Sequence, residues 1–203
     1  AKATYIQPDG VTFDFLREKG ITDYKVYENG PGTVYCDDLA FEVSGLQPQV
    51  AVPFSVDNVR PLADYVGTPV QQAFLGTCTG GRLEDLAAAA RILRGKKIHP
   101  DTRMLVVPAS QQVLLDAMAK GYISDLVTAG CTLVTPGCAA CLGTHEGLIA
   151  QGEACVSSSN RNFPGRMGHN QGQIYLASPA TVAASALMGC LSDPTPHFEG
   201  GRP

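Results

Sequence analysis

At 203 residues, with 15 Lys and Arg against 19 Asp and Glu and a net charge of −4, the chain is long enough for one large domain with its own apolar core, or one domain plus an extension. It has no basic cluster suited to nucleic acid and no apolar run long enough to span a bilayer, so neither kind of partner is expected. Seven cysteines without a regular framework, and a start that lacks the charged-then-apolar pattern of a secretion signal, point to a reducing compartment, the cytoplasm, and to small-molecule work. The opening has no initiator Met and reads as mid-domain sequence, as expected of a fragment or processed product.

In chain order, Thr12 is expected to cap a short helix over 13–19 that Gly20 ends. Residues 24–27 alternate like a strand, 29–32 form a turn, 34–43 read as another strand and 44–48 as a loop. Residues 1–49 thus read as an extension packed on the domain, and Cys36 within it as an ordinary small apolar side chain. An α/β rhythm begins at Val50. Strands are expected at 50–53 and 72–75, followed by a helix over 83–93 with apolar residues at 83, 86, 87, 90 and 93, closed by Gly95. Next come a strand at 104–107, a helix capped by Ser110 with Val113, Leu114, Ala117 and Met118 on one face, and a short helix at 123–129. Strands follow at 131–135, 154–157 and 174–177. Ser178 as N-cap and Pro179 in the first turn start a last helix that Gly189 ends. Near-continuous apolar strands alternating with helices predict an α/β fold over 50–192: a three-layer αβα domain with a mainly parallel sheet and helices on both faces. The tail, 193–203, is rich in Pro, Gly and charge and is expected to be mobile.

Two strand ends carry three cysteines. TPGCAACLG at 135–143 holds Cys138 and Cys141, and FLGTCTGGRLED at 74–85 holds Cys78. Loops leaving the carboxyl ends of parallel strands share one edge, so thiols far apart in sequence can converge there. Three thiolates so placed could hold an iron–sulfur cluster with one iron left without a protein ligand, or a zinc ion with an open fourth position. A CxxC alone also reads as a redox dithiol, half a zinc site or two buried small residues. Cys78 lies where a strand hands over to a helix, whose N-terminus favours a thiolate. Gly80 and Gly81 either expose backbone N–H groups to a cluster or simply make a tight turn. Gly137 and Gly143 let the backbone wrap closely, and Ala139 and Ala140 keep the rim small. Cys131, Cys155 and Cys190 read as core. His145 is a further candidate near the pair. Arg161 and Arg166, five apart in a loop that follows a strand, suit bidentate capture of a carboxylate, and Arg82 stands beside the first cysteine loop.

Four stretches, FLGTCTGGRLEDL at 74–86, TPGCAACLGTHEG at 135–147, SSSNRNFPGRMG at 157–168 and IYLASPATVAASALMG at 174–189, occur in an order and spacing that resemble the aconitase superfamily. The likeness, from about 45 to 193, is greatest to the cluster-binding C-terminal part of the large subunit of 3-isopropylmalate dehydratase and homoaconitase. The resemblance implies an aconitase iron–sulfur-domain-like fold and a 4Fe-4S cluster with one iron lacking a protein ligand, held by Cys78, Cys138 and Cys141. It implies that Asn160 contacts the cluster and that Arg161 and Arg166 bind substrate. Gly80 stands where the family usually carries Asn, which puts one contact to the cluster in question.

The activity implied is dehydration and rehydration of a hydroxy di- or tricarboxylate, with 3-isopropylmalate of leucine biosynthesis as the leading substrate. Homoaconitate, 2,3-dimethylmalate and citrate are the alternatives. The family's base is a serine on a swivelling domain, carried in two-subunit enzymes by a separate small subunit. That motif has no match here, nor do the His- and Asp-bearing motifs of the first domain. The expected partners are therefore the small subunit and the remainder of the large subunit, and the chain alone is expected to be inactive. The reading of another class is a non-catalytic iron–sulfur or zinc-binding module; an electron carrier would be expected to show a fourth Cys ligand.

Overall fold

Residues 4–198 are described by the computed structural model, and they fall into two units divided after Gly45. The first carries one helix, α1 (Gly10–Glu18). Its cap is Asp9 rather than Thr12: the Asp9 carboxylate accepts the Thr12 N–H at 2.9 Å, with the Thr12 hydroxyl facing the Asp9 N–H at 3.5 Å. This is a reciprocal capping box, and it starts the helix three residues before the expected position. The turn near 29–32 forms with the Thr33 N–H donating to the Gly30 carbonyl at 3.0 Å. The strands expected at 24–27 and 34–43 do not form. Alternation marks a strand only where a neighbour completes the ladder, and no strand lies among residues 4–48 to do so. Cys36 is exposed.

The second unit is built on β1 (Gln49–Ala51), β2 (Val59–Pro61), β3 (Gln72–Gly76), β4 (Arg103–Val107), β5 (Thr132–Leu133), β6 (Ala154–Ser157) and β7 (Gln173–Leu176). These form one sheet in the order β2-β1-β7-β6-β3-β4-β5. From β7 to β5 every pairing is parallel, and β1 is antiparallel to both its neighbours. The helices are α2 (Thr77–Gly80), α3 (Leu83–Leu93), α4 (Gln111–Ala119), α5 (Tyr122–Ala129) and α6 (Pro179–Met188). The helix over 83–93 has the expected bounds, and its buried stripe is wider than expected because Ala89 and Ile92 join Leu86, Ala90 and Leu93. Ser110 accepts the Val113 N–H and Ser178 the Thr181 N–H, each at 3.2 Å, so both act as the caps the sequence implies. Gly189, at φ +75°, closes α6 in the left-handed conformation that glycine adopts without penalty.

The expectation of an α/β domain with a mainly parallel sheet therefore holds, and the two faces of the sheet differ in what covers them. Alternate strand residues divide cleanly between two apolar clusters. Ala73, Leu75, Met104, Val106 and Val156 pack with α3, α4, α5 and α6. Phe74, Leu105, Val107, Cys155 and Ile174 pack instead with Val134, Ala139, Ala140, Cys141, Ile149 and Met167. The second face thus carries turns and the short 3-10 segment Ala139–Leu142 where helices were expected. The reason lies in the chain between β5 and β6: β5 ends at Leu133, short of the expected Thr135, and the segment leaves the edge to lie across the sheet.

At the amino-terminal end of the strands, the buried amide of Gln72 donates to the Gly147 carbonyl at 2.7 Å and accepts from Arg103 Nε at 2.8 Å. Arg103 also grips both oxygens of Glu153, at 2.7 and 2.5 Å, and holds that carboxyl below its usual range. Of the tail, Phe198 packs into the helix-side cluster, and 199–203 lie outside the described residues. Among the described residues no helix is long and apolar enough to cross a membrane.

Burial sorts the thiols. Cys131 and Cys155 are buried, and desolvation pushes each up to about 12, so both stay protonated at neutral pH. Iodoacetamide followed by peptide mass spectrometry should label Cys36, Cys78 and Cys138 in the native chain and Cys131 and Cys155 only after unfolding; native labelling of Cys155 would contradict this packing. Removing the α6 cap with Ser178→Ala should lower stability by about 1 kcal/mol, read as a reduced midpoint in a circular-dichroism melt, and an unchanged midpoint would show that the cap contributes nothing.

Candidate functional site

The order of the parallel strands sets where a ligand can sit. From β3 the chain moves outward through β4 to β5, then returns to the other side of β3 for β6 and β7. The crevice beyond the carboxyl ends of β3 and β6 is therefore a topological switch point, where open α/β sheets bind ligands. Cys78 follows β3 directly, and Asn160, Arg161 and Arg166 follow β6. Cys138 and Cys141 follow β5, two strands away. Their segment folds back over the face of the sheet, and Ala139, Ala140 and Cys141 pack against residues of β3, β4 and β6.

Cys78 sits in α2, a single helical turn wedged between neighbours. A Cβ on Gly76 or Gly81 would come within 2.5 and 2.4 Å of the Val107 carbonyl oxygen, and one on Gly80 within 2.4 Å of that of Ser158. These glycines allow close backbone approach at all three positions. The space that a family Asn side chain would need is taken by Ser158. Cys78 itself is exposed. Thr77, at φ +58°, holds a conformation that β-branched residues rarely adopt. Such a residue costs about 1–3 kcal/mol and persists only where its surroundings fix it, commonly at ligand sites.

The CxxC turn is a short 3-10 segment, Ala139–Leu142. Cys138 is in the right-handed helical region and Ala139 follows at φ +45°. A positive φ is uncommon for alanine and persists where the surroundings fix it. Cys138 is exposed and Cys141 buried. Gly143, at φ +75°, lies against the Arg166 carbonyl, where a Cβ would come within 2.8 Å.

The loop after β6 touches both of the others. Ser158 bonds to the Cys78 turn, its hydroxyl accepting the Gly76 N–H and donating to the Gly80 carbonyl, each at 2.9 Å. At its far end Arg166 places Nη2 3.9 Å from Cys141 Sγ and its guanidinium over the Phe163 ring, 5.5 Å from the centroid. Arg166 Nε is buried without a hydrogen-bond partner. Between these ends, the Asn162 amide donates to the Val52 carbonyl at 3.0 Å. A parallel bridge joining Ile149 to Gly168 stitches the CxxC segment to the arginine loop just beyond the site.

The other candidates are placed more loosely. Asn160 and Arg161 are exposed, and Arg161 Nη1 donates back to the Asn160 carbonyl at 2.7 Å. Arg82 is exposed at the start of α3, where its backbone N–H donates to Asp85 at 2.9 Å. His145 is exposed. Ser158 and Asn162 escaped the sequence reading. The signal for Ser158 was a run of three serines at the end of a buried strand, since short hydroxyl side chains favour bonds to nearby backbone.

Among the described residues no three His, Cys, Asp or Glu side chains are grouped closely enough to hold one metal ion. A cubane cluster asks for less convergence, because each of its thiolates binds a different iron. Soft sulfur donors and an unpaired buried donor on Arg166 beside Cys141 fit such an anionic sulfide-bearing group.

Comparison with known proteins shows the family. A model of the aconitase family (aconitate hydratase) matches residues 63–189. The probable methanogen homoaconitase large subunit of Methanosarcina mazei is 49% identical over 194 residues, covering 96% of this chain and 49% of that protein. The 3-isopropylmalate dehydratase large subunit of a Sulfurihydrogenibium species is 46% identical over 193 residues, covering 95% and 45% respectively. The homoaconitase large subunit of Thermus thermophilus is 49% identical over 194 residues, covering 96% and 45%. The chain thus spans about half the length of the curated relatives it matches. With the family's match extending over more than half of its residues, the chain belongs to the aconitase family.

Proposed function

We propose that this chain is the cluster-binding portion of a hydro-lyase large subunit that isomerises a hydroxy di- or tricarboxylate by dehydration and rehydration. The leading substrate is 3-isopropylmalate, in leucine biosynthesis in the cytoplasm. Homoaconitate is the nearest alternative, because relatives named for both activities match at similar identity. The observation that supports the reading is that the loop after β6 touches both cysteine segments, Ser158 bonding to the Cys78 turn and Arg166 Nη2 lying 3.9 Å from Cys141 Sγ.

In this reading Cys78, Cys138 and Cys141 hold a 4Fe-4S cluster and leave one iron without a protein ligand. When bound, the cluster supplies a Lewis-acidic iron that makes the substrate hydroxyl a tolerable leaving group. Arg166, already beside Cys141, and Arg161 bind substrate carboxylates through paired N–H donors. Asn160 offers its amide to the cluster edge. The proton next to a carboxylate must be taken by a base, and neither Arg nor Asn can do so at neutral pH. That base is assigned to a small subunit carrying the swivelling domain, acting with the rest of the large subunit. The chain alone therefore lacks turnover.

Anaerobic reconstitution with iron and sulfide tests this reading. The chain should gain a broad visible absorption and, on mild oxidation, the paramagnetic signal of a three-iron form. Cys78→Ser, Cys138→Ser and Cys141→Ser should each lower bound iron several-fold, and binding of zinc alone with no iron–sulfur absorption would contradict the cluster. Turnover of 3-isopropylmalate should appear only when the complete large subunit is combined with a small subunit, and measurable turnover by this chain alone would contradict the division of roles.

A further inference from the structure

The single turn that carries Cys78 has little to hold it. It is four residues long, begins at Gly76 without a side-chain cap, and contains Thr77 at positive φ. One helical turn does not sustain itself, because nucleation fixes several residues for one hydrogen bond. The strained Thr77 needs its surroundings to keep it in place. Those surroundings come from β4 and from the loop after β6. The Ala109 N–H donates to the Gly81 carbonyl at 2.8 Å, beyond the turn. Within the turn, one side chain bonds to both ends. Ser158 Oγ accepts the Gly76 N–H and donates to the Gly80 carbonyl, each at 2.9 Å, while its own N–H donates to the Phe74 carbonyl at 3.0 Å.

The neighbouring serines do something else. Ser157 Oγ donates to Ser159 Oγ at 2.8 Å and accepts the Ser159 N–H at 3.0 Å, which closes a local pair within their own loop. Ser158, 7% exposed, is thus the serine of this run whose hydroxyl crosses from the β6 loop to the β3 turn. It spans the switch point, with Cys78 between the two backbone groups it ties together.

We propose that Ser158 is a positioning residue for Cys78: its hydroxyl brackets residues 76–80 and fixes where the Cys78 thiol is presented. The functional meaning of the bracket rests on the reading of Cys78 as a cluster ligand. The bracket also couples two parts of the candidate site, since the loop that Ser158 begins continues through Asn160 and Arg161 to Arg166. A shift of the cysteine turn is thereby passed to the loop assigned to substrate. Gly80 belongs to the same device, because any side chain there would displace Ser158.

The experiment uses the whole 203-residue chain with Ser158→Ala, Ser158→Thr and Gly80→Ala, and Ser159→Ala as a control in the same loop. In the cluster-free chain, hydrogen exchange read by mass spectrometry should quicken about fivefold over residues 76–81 in Ser158→Ala, the effect of losing a buried hydrogen-bonding group. Exchange over α3 should match the parent, which separates local loosening from loss of the fold. Gly80→Ala should give the same selective rise with the hydroxyl still present, and Ser159→Ala should leave 76–81 unchanged. After reconstitution, Ser158→Ala should shift the three-iron paramagnetic signal and release iron to a chelator about fivefold faster, and Ser158→Thr, which keeps the hydroxyl, should restore both. Unchanged exchange at 76–81, or a signal and release rate equal to the parent's, overturns the proposal. Failure of the parent itself to take up a cluster contradicts the cluster reading, and the exchange measurements then decide the bracket on their own.

Discussion

Backbone packed against backbone at the end of β3 governs the position of everything else in the candidate site. Gly76 and Gly81 lie against Val107, and Gly80 against Ser158, each with no space for a Cβ. This contact is possible because β4, β3 and β6 run parallel and in register, so their carboxyl ends arrive side by side. A turn confined from both sides cannot drift, and Cys78 takes its place from that confinement. Glycine at these positions serves proximity more than flexibility.

The second consequence concerns the face of the sheet that the helices leave free. Helices cover one face, and the CxxC segment with Ile149 and Met167 covers much of the other. Core and candidate site are therefore the same material. Cys141 is at once a buried member of the apolar cluster and a neighbour of the Arg166 guanidinium, whose Nη2 lies 3.9 Å from its sulfur. A group bound by these thiols to the folded state alone would stabilise the second face as well as equip it for chemistry. Strain at Thr77 and Ala139, both neighbours of candidate ligands, belongs to the same pattern.

Much of this was legible in the residues. The helix over 83–93 and the caps Ser110 and Ser178 were readable because apolar spacing and capping chemistry are local and agree with one another. The strands at 24–27 and 34–43 were misread because alternation says nothing about whether a partner strand exists. Thr12 was taken for a cap because it is half of a capping box whose other half, Asp9, also suits the role. The 3-10 turn at Ala139–Leu142 was invisible: its positive φ falls on alanine, where composition gives no sign of it. Helices on both faces were inferred from strand hydrophobicity, which reports that a face is covered and not what covers it. Ser158 was missed because its partners are backbone groups some eighty residues away.

The central claim is that Cys78, Cys138 and Cys141 each hold a different iron of one cluster, with a further iron left open. Mössbauer spectroscopy of the chain reconstituted with isotopically enriched iron measures this directly. The account predicts a four-iron cluster in which one iron site changes its isomer shift and quadrupole splitting when a hydroxy di- or tricarboxylate is added, while the others stay fixed. Four sites that all ignore the added acid, or iron bound only as isolated ions, would contradict it.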